Sequence, residues 1–346
     1  MRQISHSLYQ EDLAMAIPYI QKLREKKKEV SVLVVGATGL VGSFLVDAML
    51  YYNVYVEDCI TVYAMGRDRT RLEQRFKSWK SKRLMYLEHD IQKSLDDTWN
   101  WDYIFHLASN ADPGTYALYP VETITTNILG SVNVIEYVKK HKETKVLFTS
   151  TMEVYGESEQ DELMEADYGR IDYNLVRAGY PESKRVSELL YRSAVKQYGI
   201  HCVIARLGYI YGSTMTDTDN KVVAEFIRCA VTGKKIVLKS TGLQRRTYCY
   251  VADAINGLLL LMTKGENAEA YNIADKKSQV TIRELAEIIA ENYNLPLEIM
   301  QEYPTDQCSV HHTVLDTKKI EKLGWRAYIG LQEGIRRTVL EYNCES

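Results

Sequence analysis

The chain has 346 residues, 46% hydrophobic and 26% charged, with 43 Lys and Arg against 46 Asp and Glu. This length accommodates two domains, or one large domain with a lobe built onto it, and the apolar content excludes a disordered chain. A net charge of -3 offers no basic field for a polyanion, so nucleic acid is not expected as a partner. The strongest apolar stretches, Ser31–Val35 and Gly257–Met262, fall well short of the roughly 18 residues a membrane span requires, so no membrane partner is expected either. The start of the chain, Met1–Gln10, is polar without a signal-peptide core. Six cysteines (Cys59, Cys202, Cys229, Cys249, Cys308 and Cys344) lie far apart with no C-x-x-C pair, the usage of reduced cytoplasmic thiols. His311 and His312 are adjacent, which suits no single metal from one helix face, and no metal site is predicted. Tyrosine is abundant, 26 in all, so a catalytic Tyr needs an argument beyond its presence.

Tyr9 to Lys28 reads as one helix ahead of the main fold, with Leu13, Ile17, Ile20 and Leu23 at helical spacing and a basic run at its end. Val30-Ser-Val-Leu-Val-Val35 then reads as a buried strand. It runs into Gly36-Ala-Thr38-Gly39-Leu40-Val41-Gly42, and a helix continues from Ser43 to Tyr51. In the G-x-x-G-x-x-G spacing Gly36 permits the tight turn, Gly39 a close approach to a pyrophosphate, and Gly42 close packing of helix on strand. The helix N-terminus points its free N–H groups at the phosphates. Strand before and helix after supply the context that makes three glycines a dinucleotide site.

The second strand, Ile60–Met65, ends at Gly66-Arg67-Asp68. A carboxylate at this strand end usually holds a free ribose 2′-hydroxyl, as in NAD; an Arg accommodates the 2′-phosphate of NADP. Gly66 followed by Arg67 leaves both cofactors open, because Arg67 can instead stack on the adenine of NAD. Asp90-Ile91 closes a third strand facing the adenine. The end of a fourth, Tyr103–Ser109, brings Leu107, Ala108 and Ser109 along the cofactor.

A fifth strand, Val146–Thr151, leads to Met152-Glu153-Val154-Tyr155-Gly156, and Tyr180-Pro-Glu-Ser-Lys184 opens a helix through Gln197. Y-x-x-x-K on a helix sets the phenol and the ammonium on one face, a turn apart. The Lys charge, with that of a nicotinamide, stabilises a phenolate, so Tyr180 can act as a base near neutral pH while Thr151 shares the substrate's proton.

These segments together resemble an extended short-chain dehydrogenase/reductase of the nucleotide-sugar epimerase, dehydratase and decarboxylase group, from about Val30 to Tyr342. The resemblance rests on the glycine turn, His106-Leu-Ala-Ser109, Tyr119-Pro-Val-Glu-Thr123 with Asn127 and Gly130, and Thr151-x-Glu153-Val-Tyr-Gly156. It continues through Tyr180-x-x-x-Lys184, Gln244-Arg-Arg246 with Tyr250-Val-Ala-Asp253, and Leu323-Gly-Trp325. It implies oxidation of a nucleotide sugar at C4, reaction of the ketone, and often return of the hydride by the same cofactor. Asn127, Tyr180 and Lys184 are implied at the cofactor. Arg177, Arg185, Tyr209, Arg245 and Arg246 are candidate substrate-binding residues.

Within that group the residues after Thr151 discriminate. The 4,6-dehydratases resemble Thr-Asp-Glu, and Met152 cannot supply the proton that the Asp gives the leaving hydroxyl. Simple 4-epimerases generally carry no Glu where Glu153 stands. UDP-glucuronate decarboxylases resemble Thr-Ser-Glu with an Arg three residues before the Tyr and another after the Lys, matched by Arg177 and Arg185. A carboxylate β to a C4 ketone leaves as carbon dioxide without a general acid for a leaving hydroxyl. Two departures stand out: Met152 replaces Ser, and Tyr209 replaces the Asn expected in Arg206-Leu-Gly-Tyr209-Ile-Tyr-Gly212. A UDP-uronate decarboxylase-like reaction is the leading expectation, with epimerase, 4,6-dehydratase and 4-keto reductase as alternatives. A non-catalytic cofactor-sensing protein is the rival from another class, which the intact Thr–Tyr–Lys set argues against.

After Cys202 short strands alternate with helices: Val203–Arg206, the helix Val222–Thr232, the strand Ile236–Leu238 and the helix Thr281–Tyr293, whose Thr281 and Glu284 have capping-box spacing. The expected fold is α/β, a Rossmann-type doubly wound parallel sheet with a smaller C-terminal α/β substrate lobe. Residues 1–29 form an N-terminal helical extension, 30–200 the dinucleotide-binding domain with the catalytic residues, and 201–346 mainly the lobe, with segments returning to the sheet. The helices Asn127–His141 and Ser183–Gln197 resemble those of a four-helix homodimer interface in this family.

Overall fold

The computed structural model describes residues 6–25, 27–216, 218–300 and 312–343. Cys308, Cys344 and His311 lie outside the described residues. The strands in chain order are β1 Val30–Val35, β2 Ile60–Gly66, β3 Leu84–Glu88, β4 Tyr103–His106, β5 Lys145–Thr151, β6 His201–Leu207, β7 Tyr209–Tyr211, β8 Ile236–Leu238, β9 Arg245–Tyr250, β10 Ala270–Ile273, β11 Gln279–Thr281, β12 Leu297–Ile299 and β13 His312–Thr313. The helices are α1 Ser7–Ala14, α2 Ile17–Arg24, α3 Leu40–Tyr55, α4 Arg69–Phe76, α5 Pro113–Leu118, α6 Pro120–Lys140, α7 Gly179–Tyr198, α8 Val222–Thr232, α9 Val251–Lys264, α10 Ile282–Tyr293, α11 Lys318–Glu321 and α12 Leu331–Asn343.

A seven-stranded sheet in the order β10-β6-β5-β4-β1-β2-β3 forms the centre, every pairing parallel. Parallel strands covered on both faces need apolar residues at successive positions, and β1 alternates between the two cores. Val30, Val32 and Val34 join one apolar cluster with Phe44 and Leu45 of α3 and Leu258 of α9. Leu33 and Val35 join the other with Val134 and Val138 of α6 and Tyr191 of α7. Strand order reverses beside β1, opening a crevice at the carboxyl ends of β1 and β4, where ligands enter such sheets.

The N-terminal extension is two helices rather than the single one expected. Pro18 stands in the first turn of α2, where its missing N–H and ring are tolerated; inside one continuous helix they would break the hydrogen-bond ladder. Both helices are tied to the body; in α2 the carbonyl of Leu23 accepts from Tyr103 at 2.9 Å. Tyr9 donates to Asp47 at 2.5 Å, while Asp12 accepts from Tyr250 at 2.5 Å and from Arg337 of α12 at 2.7 Å.

The stretch from 201 onward divides between sheet and lobe. β6, α9 and β10 complete the large sheet, while β7, β9, β11 and β13 form a second sheet and β8 with β12 a third. Thr281 caps α10 in a full capping box with Glu284. Among the described residues no helix is long and apolar enough to cross a membrane, and no group of three or more His, Cys, Asp or Glu could hold a metal.

Candidate active site

The turn after β1 is shaped by its glycines. Gly36 has φ +86°, and a Cβ there would lie 2.9 Å from the backbone of Ala108. At Gly42 a Cβ would lie 2.3 Å from the carbonyl oxygen of Gly36, so the helix can sit this close to the turn only without a side chain. Gly39 precedes α3 in extended conformation, and a Cβ there would meet only the Gly36 oxygen, at 3.5 Å. The N-terminus of α3 therefore opens with bare backbone onto a cleft of ≈ 940 Å³, which Gly36, Thr38, Gly39, Leu40, Val41 and Gly42 all line.

The same cleft is lined by Arg67, Asp90, Ile91, Leu107, Ala108 and Ser109. Asp90 and Ile91 lie just beyond β3, and Leu107 to Ser109 just beyond β4, so both groups sit in loops at the sheet's carboxyl edge rather than in the strands expected to hold them. Asp68 and Arg71 also line the wall; Asp68 accepts from the Arg71 backbone N–H at 3.0 Å and caps α4. The buried hydroxyls of Ser109 and Ser150 face the cleft with no partner among the described residues. A bare glycine cradle, a helix N-terminus and unengaged hydroxyls along a long groove fit a dinucleotide. Asn127 is off the cleft wall. Its amide donates to Ser183 at 2.9 Å, and Ser183 donates to the Tyr180 carbonyl at 2.8 Å, so Asn127 steadies the start of α7 from behind.

At the cleft's centre Thr151 ends β5, Glu153 follows in a short 3₁₀ turn, and Tyr180 and Lys184 project from the first turns of α7. Thr151 Oγ1 accepts from the Glu153 backbone N–H at 3.3 Å. Lys184 Nζ donates to the Thr149 carbonyl at 2.8 Å and lies 4.7 Å from the centre of the Phe148 ring. Burial pulls the ammonium of Lys184 down to about 7, with Glu188 opposing. Burial and then the charge of Glu153 push the Tyr180 phenol up, against a hydrogen bond from Thr151. A cation bound beside that phenol, such as an oxidised nicotinamide ring, would favour its ionised form and bring it toward a base's range.

The outer half of the cleft is cationic around one carboxylate. Burial raises the pKa of Glu153, opposed by Arg177, Arg246 and Tyr116; Arg177 approaches it at 3.8 Å. Arg246 lies over the ring of Tyr209, 4.4 Å from its centre, and both line the cleft with Arg177. Arg185 and Arg245 do not. Arg185 is spent on backbone carbonyls, donating to Val154 at 2.6 Å and Gly169 at 2.9 Å, so it braces the loop after Glu153. Arg245 precedes Arg246 on a strand, and the alternation of β9 turns it to the opposite face. Met152 lines the cleft but is otherwise buried with Val154, Tyr155, Leu163 and Leu315.

Sequence reasoning missed Tyr116, whose buried ring also lines the cleft. It comes from α5, whose start was legible: Asp112 accepts from the Thr115 backbone N–H at 2.9 Å, followed by Pro113 in the first turn.

The model of the NAD dependent epimerase/dehydratase family matches residues 32–274. The chain is 33% identical over 305 residues to UDP-glucuronic acid decarboxylase 5 of Arabidopsis thaliana, covering 88% of this chain and 86% of the relative. Among solved structures it is similar to UDP-N-acetylglucosamine 4-epimerase from Methanobrevibacter ruminantium M1, with a TM-score of 0.80 and 23% identity over 92% of this chain and 100% of the other. It is likewise similar to UDP-glucose 4-epimerase from Thermotoga maritima, with a TM-score of 0.78 and 24% identity over 91% and 99%. At such identities these two structures speak for the fold.

Proposed function

Because the chain belongs to the NAD-dependent epimerase/dehydratase family, we propose that it decarboxylates a UDP-uronate after oxidising the sugar at C4. The observation that carries this reading is buried Glu153 under the charges of both Arg177 and Arg246, in the same cleft as Thr151, Tyr180 and Lys184. Its similarity to a UDP-glucuronic acid decarboxylase supports the choice of reaction. Gly36 to Gly42, with Arg67, Asp90, Ile91 and Leu107 to Ser109, would hold NAD, which when bound supplies the two-electron oxidation at C4 and its reversal.

The protein's own groups do the rest. Tyr180 takes the proton of the C4 hydroxyl, Thr151 hydrogen-bonds that oxygen, and the Lys184 ammonium stabilises the phenolate. With C4 a ketone, the bond from C5 to the carboxylate carbon breaks. Its electron pair passes into a C4–C5 enolate, and carbon dioxide leaves. Tyr180, now protonated, hydrogen-bonds the enolate oxygen, and a proton delivered to C5 in place of the departed carbon dioxide restores the ketone. Arg177 and Arg246 hold the substrate's anionic groups, and Glu153 orients the sugar or passes the new proton to C5.

Incubation with UDP-glucuronate, followed by mass spectrometry, tests the reading: a UDP-pentose with release of carbon dioxide is expected. Isomerisation of UDP-glucose at unchanged mass, with UDP-glucuronate untouched, would make the protein an epimerase. Cofactor released on denaturation is expected to be NAD; NADP would assign Arg67 and Arg71 to a 2′-phosphate. The functional units proposed are a cofactor domain over 30–200 and a substrate lobe drawn mainly from 201–346, in a cytoplasmic homodimer. The exposed apolar side chains Val121 and Leu129 of α6 and Val186 and Leu189 of α7 support pairing of these helices between two copies.

A further inference from the structure

We propose that Tyr209 is a positioning residue: its ring, backed by three further tyrosines, holds the Arg246 guanidinium flat and presents its edge to an anionic group of the substrate. The inference rests on the reading above for the substrate's identity, though not for the geometry.

β7 and β9 run parallel with Tyr209 beside Tyr248 and Tyr211 beside Tyr250. Side chains two apart share a face of a strand, so Arg246, Tyr248 and Tyr250 line up on β9, next to Tyr209 and Tyr211 on β7. The rings form a continuous series. Tyr209 to Tyr248 is 5.7 Å between centroids, Tyr248 to Tyr211 6.2 Å, and Tyr211 to Tyr250 5.6 Å. Tyr211, Tyr248 and Tyr250 are fully buried. The far end is fastened: Tyr250 donates to Asp12 of α1, and Tyr211 to the carbonyl of Leu331 in α12 at 3.2 Å. Of the four tyrosines only Tyr209 lines the cleft, and Arg246 lies over its ring at 4.4 Å.

A guanidinium attracted to a ring through its face keeps its N–H donors in the plane, directed outward, where a carboxylate or phosphate takes two of them at once. The ring also removes rotamer freedom that a long Arg side chain would otherwise lose on binding. Carboxylate and diphosphate share this chemistry, so the two sources have to be separated by ligand.

The test compares Tyr209→Phe, which keeps the ring, with Tyr209→Leu, which removes it. Steady-state turnover of UDP-glucuronate is read alongside calorimetric binding of UDP-xylose, which keeps the diphosphate and lacks the carboxylate. Tyr209→Leu is expected to raise KM for UDP-glucuronate about tenfold with kcat little changed, and Tyr209→Phe to stay within about twofold of wild type. Unchanged UDP-xylose affinity assigns Arg246 to the carboxylate; a matching loss assigns it to the diphosphate. In an Arg246→Ala background the Leu substitution should have no further effect, a result a merely structural role would not produce. Should the Leu variant not fold, Tyr209→Met, of similar reach without a ring, gives the same comparison. A loss as large with Phe as with Leu, no change with Leu, or a loss in kcat alone overturns the proposal. Wild-type protein that fails to bind UDP-glucuronate sinks the decarboxylase reading instead, and binding of UDP to the same variants then decides the role of Tyr209.

Discussion

The ring of Tyr116 lies face to face with that of Tyr180, 5.0 Å between centroids and 7° between planes. Tyr116 comes from a six-residue helix and Tyr180 from the start of a twenty-residue one, so the stack fixes one side of the phenol that the proposed mechanism uses as base. An aromatic pair contributes roughly 0.5–1.5 kcal/mol beyond its buried area. Tyr116→Ala should therefore lower turnover by about threefold to tenfold, whereas Tyr116→Phe, which keeps the stack, should lose less. A Phe variant as impaired as the Ala variant would shift the role of Tyr116 from its ring to its hydroxyl.

Tyr180→Phe removes the only atom of that side chain able to take a proton. Turnover is expected to fall by about 10² to 10⁴ while UDP binding remains. Activity within a few-fold of wild type would pass the base's role to another group.

Asp253 anchors the segment before α12. Its carboxylate accepts from the backbone N–H groups of Tyr328 at 3.0 Å and Ile329 at 2.9 Å, and its carbonyl accepts from Trp325 at 3.0 Å. Asp253→Ala leaves two backbone donors without an acceptor, and should cost about 1–3 kcal/mol of stability, read by chemical denaturation. Asp253→Asn, which keeps one acceptor oxygen, should lose less.

Asp12 is raised to about 6, burial outweighing the opposing Tyr250 and Arg337. The folded state thus holds this proton more tightly than the unfolded chain, where the ordinary value is 3.8. Its contribution to stability is full below about pH 4 and lost as pH rises through about 6. The stability of wild type relative to Asp12→Asn should therefore decline across that window, by on the order of 2–3 kcal/mol. A difference that grows with pH would show that the ion pair with Arg337 outweighs burial.

Features decided within a few residues were legible in the chain. The glycine turn, the capping box at Thr281 and Glu284, and the helix carrying Tyr180 and Lys184 each follow from local backbone requirements; the last two lie within a residue of their expected bounds, while the helix after the turn runs from Leu40 to Tyr55 rather than from Ser43 to Tyr51. Pro18 was legible on the same terms, yet the apolar spacing from Leu13 to Leu23 continues across it, and a period count alone joins two helices into one.

The arginines show where that reading stops. Arg245 and Arg246 are neighbours in sequence and equal in chemistry, and Arg177 and Arg185, equal in chemistry too, flank Tyr180 and Lys184 at the start of α7. Which of each pair faces the cleft depends on the pairing of β9 with β7 and on carbonyls at Val154 and Gly169 that occupy Arg185. Tyr116, the tyrosine series behind Tyr209 and the tie from Asp12 to Arg337 likewise join residues far apart in the chain. The sequence by itself determined the glycine turn, the Tyr180-x-x-x-Lys184 helix proposed for hydride chemistry and the family, because each is a run of neighbours meeting one backbone geometry. Only the tertiary structure decided which charges meet at Glu153, because a side chain's direction is set by strand register and by the partners that long-range packing brings within reach.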